Sequence, residues 1–94
     1  MRHLILVKLA KDAPDAARFA REIEPLFARA LEIDGVRRVR VSPACIAAPN
    51  RSDVLIEMEL TPEGLRRFDA SDIHAEWKQR YAHWLESKAV FDGE

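Results

Sequence analysis

The stretch His3-Leu4-Ile5-Leu6-Val7-Lys8-Leu9 decides how this chain folds. In an extended strand, successive side chains point to opposite faces. Both faces of this strand are apolar, with one formed by Ile5, Val7 and Leu9 and the other by Leu4 and Leu6. A strand of this kind is covered on both sides. A short chain can cover one side with its own helices, so we expect a second copy of the chain to cover the other.

Outward from this strand, helices and strands alternate along the chain. Asp12-Ala13-Pro14-Asp15 is typical of a helix start, and apolar residues at helical spacing predict a helix to about Leu31. Pro25 lies inside this helix and predicts a kink or local break on its solvent side. Asp34-Gly35 then turns the chain.

The second half predicts three further strands and two helices. Strands are expected at 36–46, with Pro43 marking an edge strand, at 54–60, and at about 87–92. Thr61 and Ser71 are predicted to cap helices, the first running from Pro62 to about Asp69. This order predicts an α+β fold, a ferredoxin-like βαββαβ subunit with a four-stranded antiparallel sheet and helices on one face. Residues 1–94 form a single domain, and the uncovered sheet face is where a homodimer partner packs.

Composition narrows the classes of function. Fifteen basic and sixteen acidic residues give a net charge of -1, which argues against a nucleic-acid partner. The single cysteine, Cys45, allows no internal disulfide, fits a reducing cytoplasm, and is interpreted as a buried small hydrophobe. The amino-terminal apolar run is too short for a signal peptide or a membrane span. We therefore expect a cytoplasmic protein with no membrane partner.

The candidate site is centred on His74. With Ser71 as cap, His74 lies in the first turn of the last helix, where the helix dipole and free amides disfavour an imidazolium. A neutral imidazole can act as a base or donate a hydrogen bond to a small ligand. The alternative is a packed histidine satisfied by backbone or water. His3 can line the same pocket if its face of the strand meets the helices, but no carboxylate is placed to join the two as a metal site. His83 is expected on the solvent side.

Two other clusters have structural and functional interpretations. Arg37, Arg38 and Arg40 form either an anion patch or, for the last two, cross-strand partners of Glu57 and Glu59. The aromatic residues of the last helix form either a stacking platform or a core-facing stripe, which comprises Trp77, Tyr81 and Trp84. The structural interpretation is favoured for both clusters.

Four segments, taken in order, resemble the stress-responsive A/B-barrel (Dabb) family. They are the opening Arg2-His3-Leu4-Ile5-Leu6-Val7-Lys8-Leu9, the turn Ile33-Asp34-Gly35-Val36, the helix start at His74 and the closing Glu86-Ser87-Lys88-Ala89-Val90-Phe91-Asp92. The resemblance implies a dimeric α/β barrel made of two ferredoxin-like subunits with their sheets face to face. Most members of that family have no assigned activity.

One member, a plant polyketide cyclase, implies a site. It uses a tyrosine and a histidine without a cofactor, in a pocket between sheet and helices. By this resemblance the histidine corresponds to His74 and a second pocket histidine to His3. The catalytic tyrosine falls at Phe68, which has no hydroxyl, and a further pocket tyrosine falls near Leu26.

Two functions follow as hypotheses. The first is a homodimeric protein of unassigned activity with a small apolar ligand in a pocket lined by Ile5, Val7, Leu26, Phe68 and Trp77. The second is a cofactor-free enzyme, cyclase-like or isomerase-like, with His74 as general base and His3 assisting. Neither hypothesis includes a metal or a cofactor.

Overall fold

The strand that opens the chain lies inside a four-stranded antiparallel sheet. The computed structural model describes residues 1–94, and its sheet order is β2-β3-β1-β4. The elements in chain order are β1 (Arg2–Leu9), α1 (Ala16–Ala28), β2 (Val36–Pro43), β3 (Val54–Leu60), α2 (Pro62–Asp69), α3 (Asp72–Tyr81) and β4 (Leu85–Gly93). Short 3₁₀ turns follow α1 and α3. The predicted βαββαβ fold is confirmed.

The two faces of β1 have different surroundings. His3, Ile5 and Val7 are buried beneath the helices, whereas Leu4 and Leu6 on the other face are only half-buried. We call this second face of the sheet the open face. The helices therefore cover one side of a strand that is apolar on both.

The arginines of β2 lie on the open face opposite two glutamates of β3. The register places Arg38 opposite Glu59 and Arg40 opposite Glu57, as predicted. Pro43 ends β2, which is an edge strand, also as predicted. None of the ion pairs in the chain joins these arginines to these glutamates, so the opposite charges are neighbours without direct contact.

Side-chain caps begin all three helices. The side chain of Asp15 accepts from the N–H of Arg18, that of Thr61 from Gly64, and that of Ser71 from His74. Asp15, the last residue of the predicted start segment Asp12-Ala13-Pro14-Asp15, is the cap of α1. Of the kink or local break predicted at Pro25, the break is wrong, since the α-helix continues from Ala16 to Ala28. Pro25 is exposed, so water can satisfy the carbonyl left without a donor.

Residues 44–53 form the longest loop between strands. The strand predicted to reach Ile46 ends at Pro43, and Cys45 beyond it is exposed rather than buried. Proline cannot donate to a ladder, and the chain leaves the sheet there. Lys8 holds the loop by donating to the carbonyls of Ala48 and Arg51 at 3.0 and 2.9 Å.

A close approach of two glycines sets the position of α2. Gly35 has a φ of +96°, a conformation that residues with a Cβ rarely adopt. A Cβ at Gly64 would lie 2.7 Å from the carbonyl carbon of Gly35. The N–H of Thr61 also donates to the Gly35 carbonyl at 2.9 Å. The turn before β2 and the start of α2 are therefore in direct contact.

The aromatic stripe of α3 is part of the core. Trp77 and Tyr81 are 1% and 2% exposed, and both rings pack edge-on against Phe19. Trp84 is half-buried against the same cluster. The core interpretation of these aromatics is confirmed. No helix in the chain has the length and apolarity needed to span a membrane.

Candidate functional site

His3 is buried on β1 beside a carboxylate of the closing strand. It is 7% exposed, and its Nδ1 lies 2.5 Å from Oδ1 of Asp92. The register of β1 and β4 places the two residues directly opposite each other, so both side chains lie on the helix-covered face. Asp92 is a site residue that sequence reasoning missed.

This pairing assigns the protons of the His3 ring. An ionised carboxylate only accepts hydrogen bonds, so Nδ1 carries the hydrogen and donates to Asp92. In the neutral ring, Nε2 is then left with a free lone pair. A histidine oriented in this way by an aspartate has one defined nitrogen for proton exchange with a ligand.

His74 lies in the first turn of α3, as predicted. Its backbone N–H donates to Oγ of Ser71 at 3.3 Å, and its side chain is half-buried. The ring takes part in none of the side-chain hydrogen bonds, and no buried side-chain nitrogen or oxygen in the chain lacks a partner. The ring nitrogens are therefore accessible from outside the core.

The surroundings of His74 lower its pKa. Burial of the ring is the largest cause, Asp69 opposes it, and Lys78, Lys88 and His3 lower the pKa further. The direction agrees with the sequence-based expectation, but burial, not the helix dipole, is the main reason. The imidazole is therefore neutral at pH 7.

The ring of Phe68 lies next to the rings of both His3 and His74. Its ring centroid lies 6.3 Å from that of His3 and 5.4 Å from that of His74. Phe68 is 0% exposed, so it forms a rigid apolar contact shared by both imidazoles. His83, by contrast, is exposed in the 3₁₀ turn after α3, as predicted.

The five predicted pocket residues belong to the packed core. Each is at most 5% exposed, and they are Ile5, Val7, Leu26, Phe68 and Trp77. Leu26 borders a depression between α1 and α3 whose other lining residues are mostly charged. Trp77 borders a different one, between α3 and β4. Leu26 and Trp77 therefore border different depressions, and Ile5, Val7 and Phe68 are packed core.

The depression beside Trp77 has a volume of about 320 Å³, and we call it the α3–β4 groove. Its lining residues are Trp77, Lys78, Ala82, Leu85, Ser87 and Lys88. The groove exists because the helices do not extend over β4. Val90 is paired with Ile5 in the sheet and points to the same, helix-covered face, yet it is 53% exposed. Lys78 and Lys88 of the groove are among the charges that lower the pKa of His74, and neither His74 nor His3 is itself a lining residue. No group of three or more His, Cys, Asp or Glu side chains is arranged to hold a metal ion.

Comparisons with known proteins support the fold. No family model and no curated protein matches the chain. Among solved structures, a dimeric protein of unknown function with a ferredoxin-like fold from Bacteroides fragilis is 18% identical, with a TM-score of 0.79 over 99% of this chain and 93% of that one. A dimeric ferredoxin-like protein of unknown function from Thermobifida fusca is 17% identical, with a TM-score of 0.78 over 96% and 85%.

A Dabb family protein with a ferredoxin-like fold is also similar to this chain. It comes from Mesorhizobium loti and is 14% identical, with a TM-score of 0.71 over 99% of this chain and 93% of that one. The predicted resemblance to the Dabb family is confirmed at the level of the fold.

Proposed function

We propose that the chain binds a small, largely apolar molecule in the α3–β4 groove and transfers a proton on it without a cofactor. His74 is the general base, and His3, oriented by Asp92, assists. The observation that carries this proposal is the pairing of Asp92 with His3 next to a neutral His74, with Phe68 in contact with both rings.

The two histidines suit different parts of a proton transfer. A base whose pKa lies near the working pH combines the correct protonation state with a useful driving force. His74 is open to the outside, and its lowered pKa keeps the imidazole neutral and able to accept a proton at pH 7. The lone pair on Nε2 of His3 can accept a hydrogen bond from a substrate hydroxyl. A base and a hydrogen-bonding partner of this kind can together remove a proton next to a carbonyl group, as in a cyclisation or an isomerisation.

Deuterium exchange into neutral 1,3-dicarbonyl compounds tests the proposal. Such compounds carry an acidic C–H that a general base can remove whatever the natural substrate is, and NMR follows the exchange. We expect the wild-type protein to accelerate exchange and His74→Gln to lose about 100-fold or more of that acceleration. His83→Gln is the matched control, because His83 is exposed and follows the same helix. Equal rates for the wild type and a folded His74→Gln would contradict the proposal.

Binding without catalysis is the second candidate. Phe68 favours it, because a buried phenylalanine between the histidines offers no hydroxyl as a further proton donor. In that case His74→Gln weakens binding of a ligand. Deuterium exchange into the tested compounds is then no faster in the presence of the wild-type protein than in buffer alone.

We also propose that the chain is a homodimer joined through the open faces of two sheets. Apolar side chains remain accessible there, namely Leu4, Leu6, Leu55 and Phe91, and Phe91 is 52% exposed. Solvent-exposed apolar surface of this kind favours association. Two of the similar structures are described as dimeric. Light scattering at micromolar concentration is expected to give twice the chain mass.

A further inference from the structure

We propose that the α3–β4 groove selects an organic anion, a molecule with an apolar body and one negatively charged group held between Lys78 and Lys88. The inference rests on the proposed function, since it names the class of ligand that the same groove takes. The two lysines come from the two walls of the groove, Lys78 from α3 and Lys88 from β4.

The charge of the groove is not balanced by protein groups. No carboxylate is among its lining residues. Neither lysine takes part in any ion pair, whereas Lys8 is paired with Asp53, and Arg29 and Arg80 with Glu76. Two unpaired cations across one groove favour a ligand with negative charge over a neutral one.

The remaining surface of the groove fits an apolar body. Trp77, Ala82 and Leu85 supply apolar lining, and the volume of about 320 Å³ is within the range of small-molecule sites. Lys88 lies opposite Val7 in the sheet, so its side chain leaves β4 on the helix-covered face, where the histidines lie. An anion held by the lysines therefore places its apolar body along Ala82 and Leu85.

Anion binding is also coupled to the base. The charged and titratable groups acting on His74 are Asp69 from α2, Lys78 from α3, Lys88 from β4 and His3 from β1. Of these, both lysines lower its pKa. A bound anion offsets their charge, so the pKa of His74 rises and the ring becomes a stronger base when the ligand is present. By linkage, the proton and the anion bind cooperatively.

The test uses 4-phenylbutyrate and 4-phenylbutyramide, which differ in charge but hardly in size. Each is titrated into the full-length protein at pH 7 and low salt, with NMR signals of the groove residues giving the Kd. We expect the carboxylate to bind up to about tenfold more tightly than the amide, with the preference reduced by salt. We also expect the carboxylate, and not the amide, to raise the pKa of His74.

A double variant and a charge-matched control locate the effect. Lys78→Gln combined with Lys88→Gln is expected to abolish the preference and to raise the pKa of His74 in the free protein. Lys11→Gln combined with Arg18→Gln removes the same charge from exposed positions outside the lining of the groove and is expected to preserve both properties. All four side chains are exposed, so the fold is expected to persist, and dispersed amide signals verify it.

Three results would overturn the inference: equal Kd values for the two ligands, a preference that survives in the double variant, or no shift of groove signals with either ligand. The proposed function is tested separately, because it is decided by loss of exchange into neutral dicarbonyl compounds in His74→Gln, whereas the inference is decided by the charge preference of the ligand and its loss in the lysine double variant. Failure of one experiment is therefore distinguishable from failure of the other.

Discussion

The covered and open faces of the sheet are built from alternating residues of the same strands but have different roles. On the covered face, Val7 and Ile56 are completely buried beneath an aromatic cluster. On the open face, Leu6 is half-buried and Phe91 is 52% exposed. The covered face supplies the packing that holds one chain together. The open face leaves apolar area accessible to solvent, and it is the surface proposed to contact a second chain.

The candidate site lies where the covered face ends. The helices shield β1 and leave β4 partly uncovered, as the exposure of Val90 shows. His3 is consequently buried, while its partner Asp92 has a side chain that is 41% exposed. The core fixes the side chains next to β1, and the uncovered part of β4 allows a small molecule to approach them. Incomplete coverage, and not an internal cavity, creates the site.

The largest effect is expected from truncating the covered face. Trp77→Ala removes a side chain that is 1% exposed and packs against Phe19, Phe27 and Tyr81. We expect the free energy of unfolding to fall by about 3–5 kcal/mol, because the surrounding rings cannot fill the cavity. Chemical denaturation measures this. Leu31→Ala, at a position that is 50% exposed, is the control and is expected to cost under about 1 kcal/mol.

The next-largest effect is expected from a substitution on the open face of β4, compared with the same substitution at the adjacent residue on the covered face. Phe91 and Val90 are neighbours on β4, equally exposed, and point to opposite faces. Phe91→Asp is expected to raise the dimer dissociation constant by about 30-fold or more, because it places a charge in an apolar interface. Val90→Asp is expected to leave the dimer intact. Light scattering across a dilution series distinguishes the variants, and equal dissociation by both would refute the assignment of the open face.

A smaller effect concerns pH. The pKa of His74 is lowered in the folded chain relative to about 6.5 in the unfolded chain. The unfolded state therefore binds the proton more tightly, so stability is retained above about pH 6.5 and declines as the pH falls toward the folded value. We expect the wild type to lose more stability than His74→Gln between about pH 7 and pH 5, as measured by urea unfolding. Parallel curves would show that His74 does not titrate as described.

The smallest effect is expected from the charges opposite each other on the open face. A double-mutant cycle of Arg40→Gln and Glu57→Gln measures their coupling. Because no direct ion pair joins them, we expect about 0.2–0.5 kcal/mol, the low end for cross-strand pairs. A coupling well above about 1 kcal/mol would mean that the charges lose their water, as they do if a second chain covers this face.

Features governed by neighbouring residues were predictable. Thr61 and Ser71 were identified as caps because a cap acts within one helical turn. The same local rules left two features open. The acidic cap of α1 is Asp15, the last residue of the predicted start segment, and Pro25 leaves the α-helix unbroken.

The candidate site was predictable only in part. His74 was found from its cap and helix position, and His3 from the alternation of β1. Asp92 was missed because it is 89 residues from His3, and local patterns do not define which residues of two such distant strands face each other. The α3–β4 groove was missed because its extent depends on how far the helices reach across the sheet.

The residues alone determined that this chain would form an antiparallel sheet with helices on one face, because periodicity and caps act over a few positions. They also indicated that one apolar face would be left over. Only the tertiary structure decided that Asp92 meets His3, that Phe68 separates two imidazoles, and that Lys78 faces Lys88 across a groove. Strand register and helix placement set these contacts, and both are global outcomes of packing.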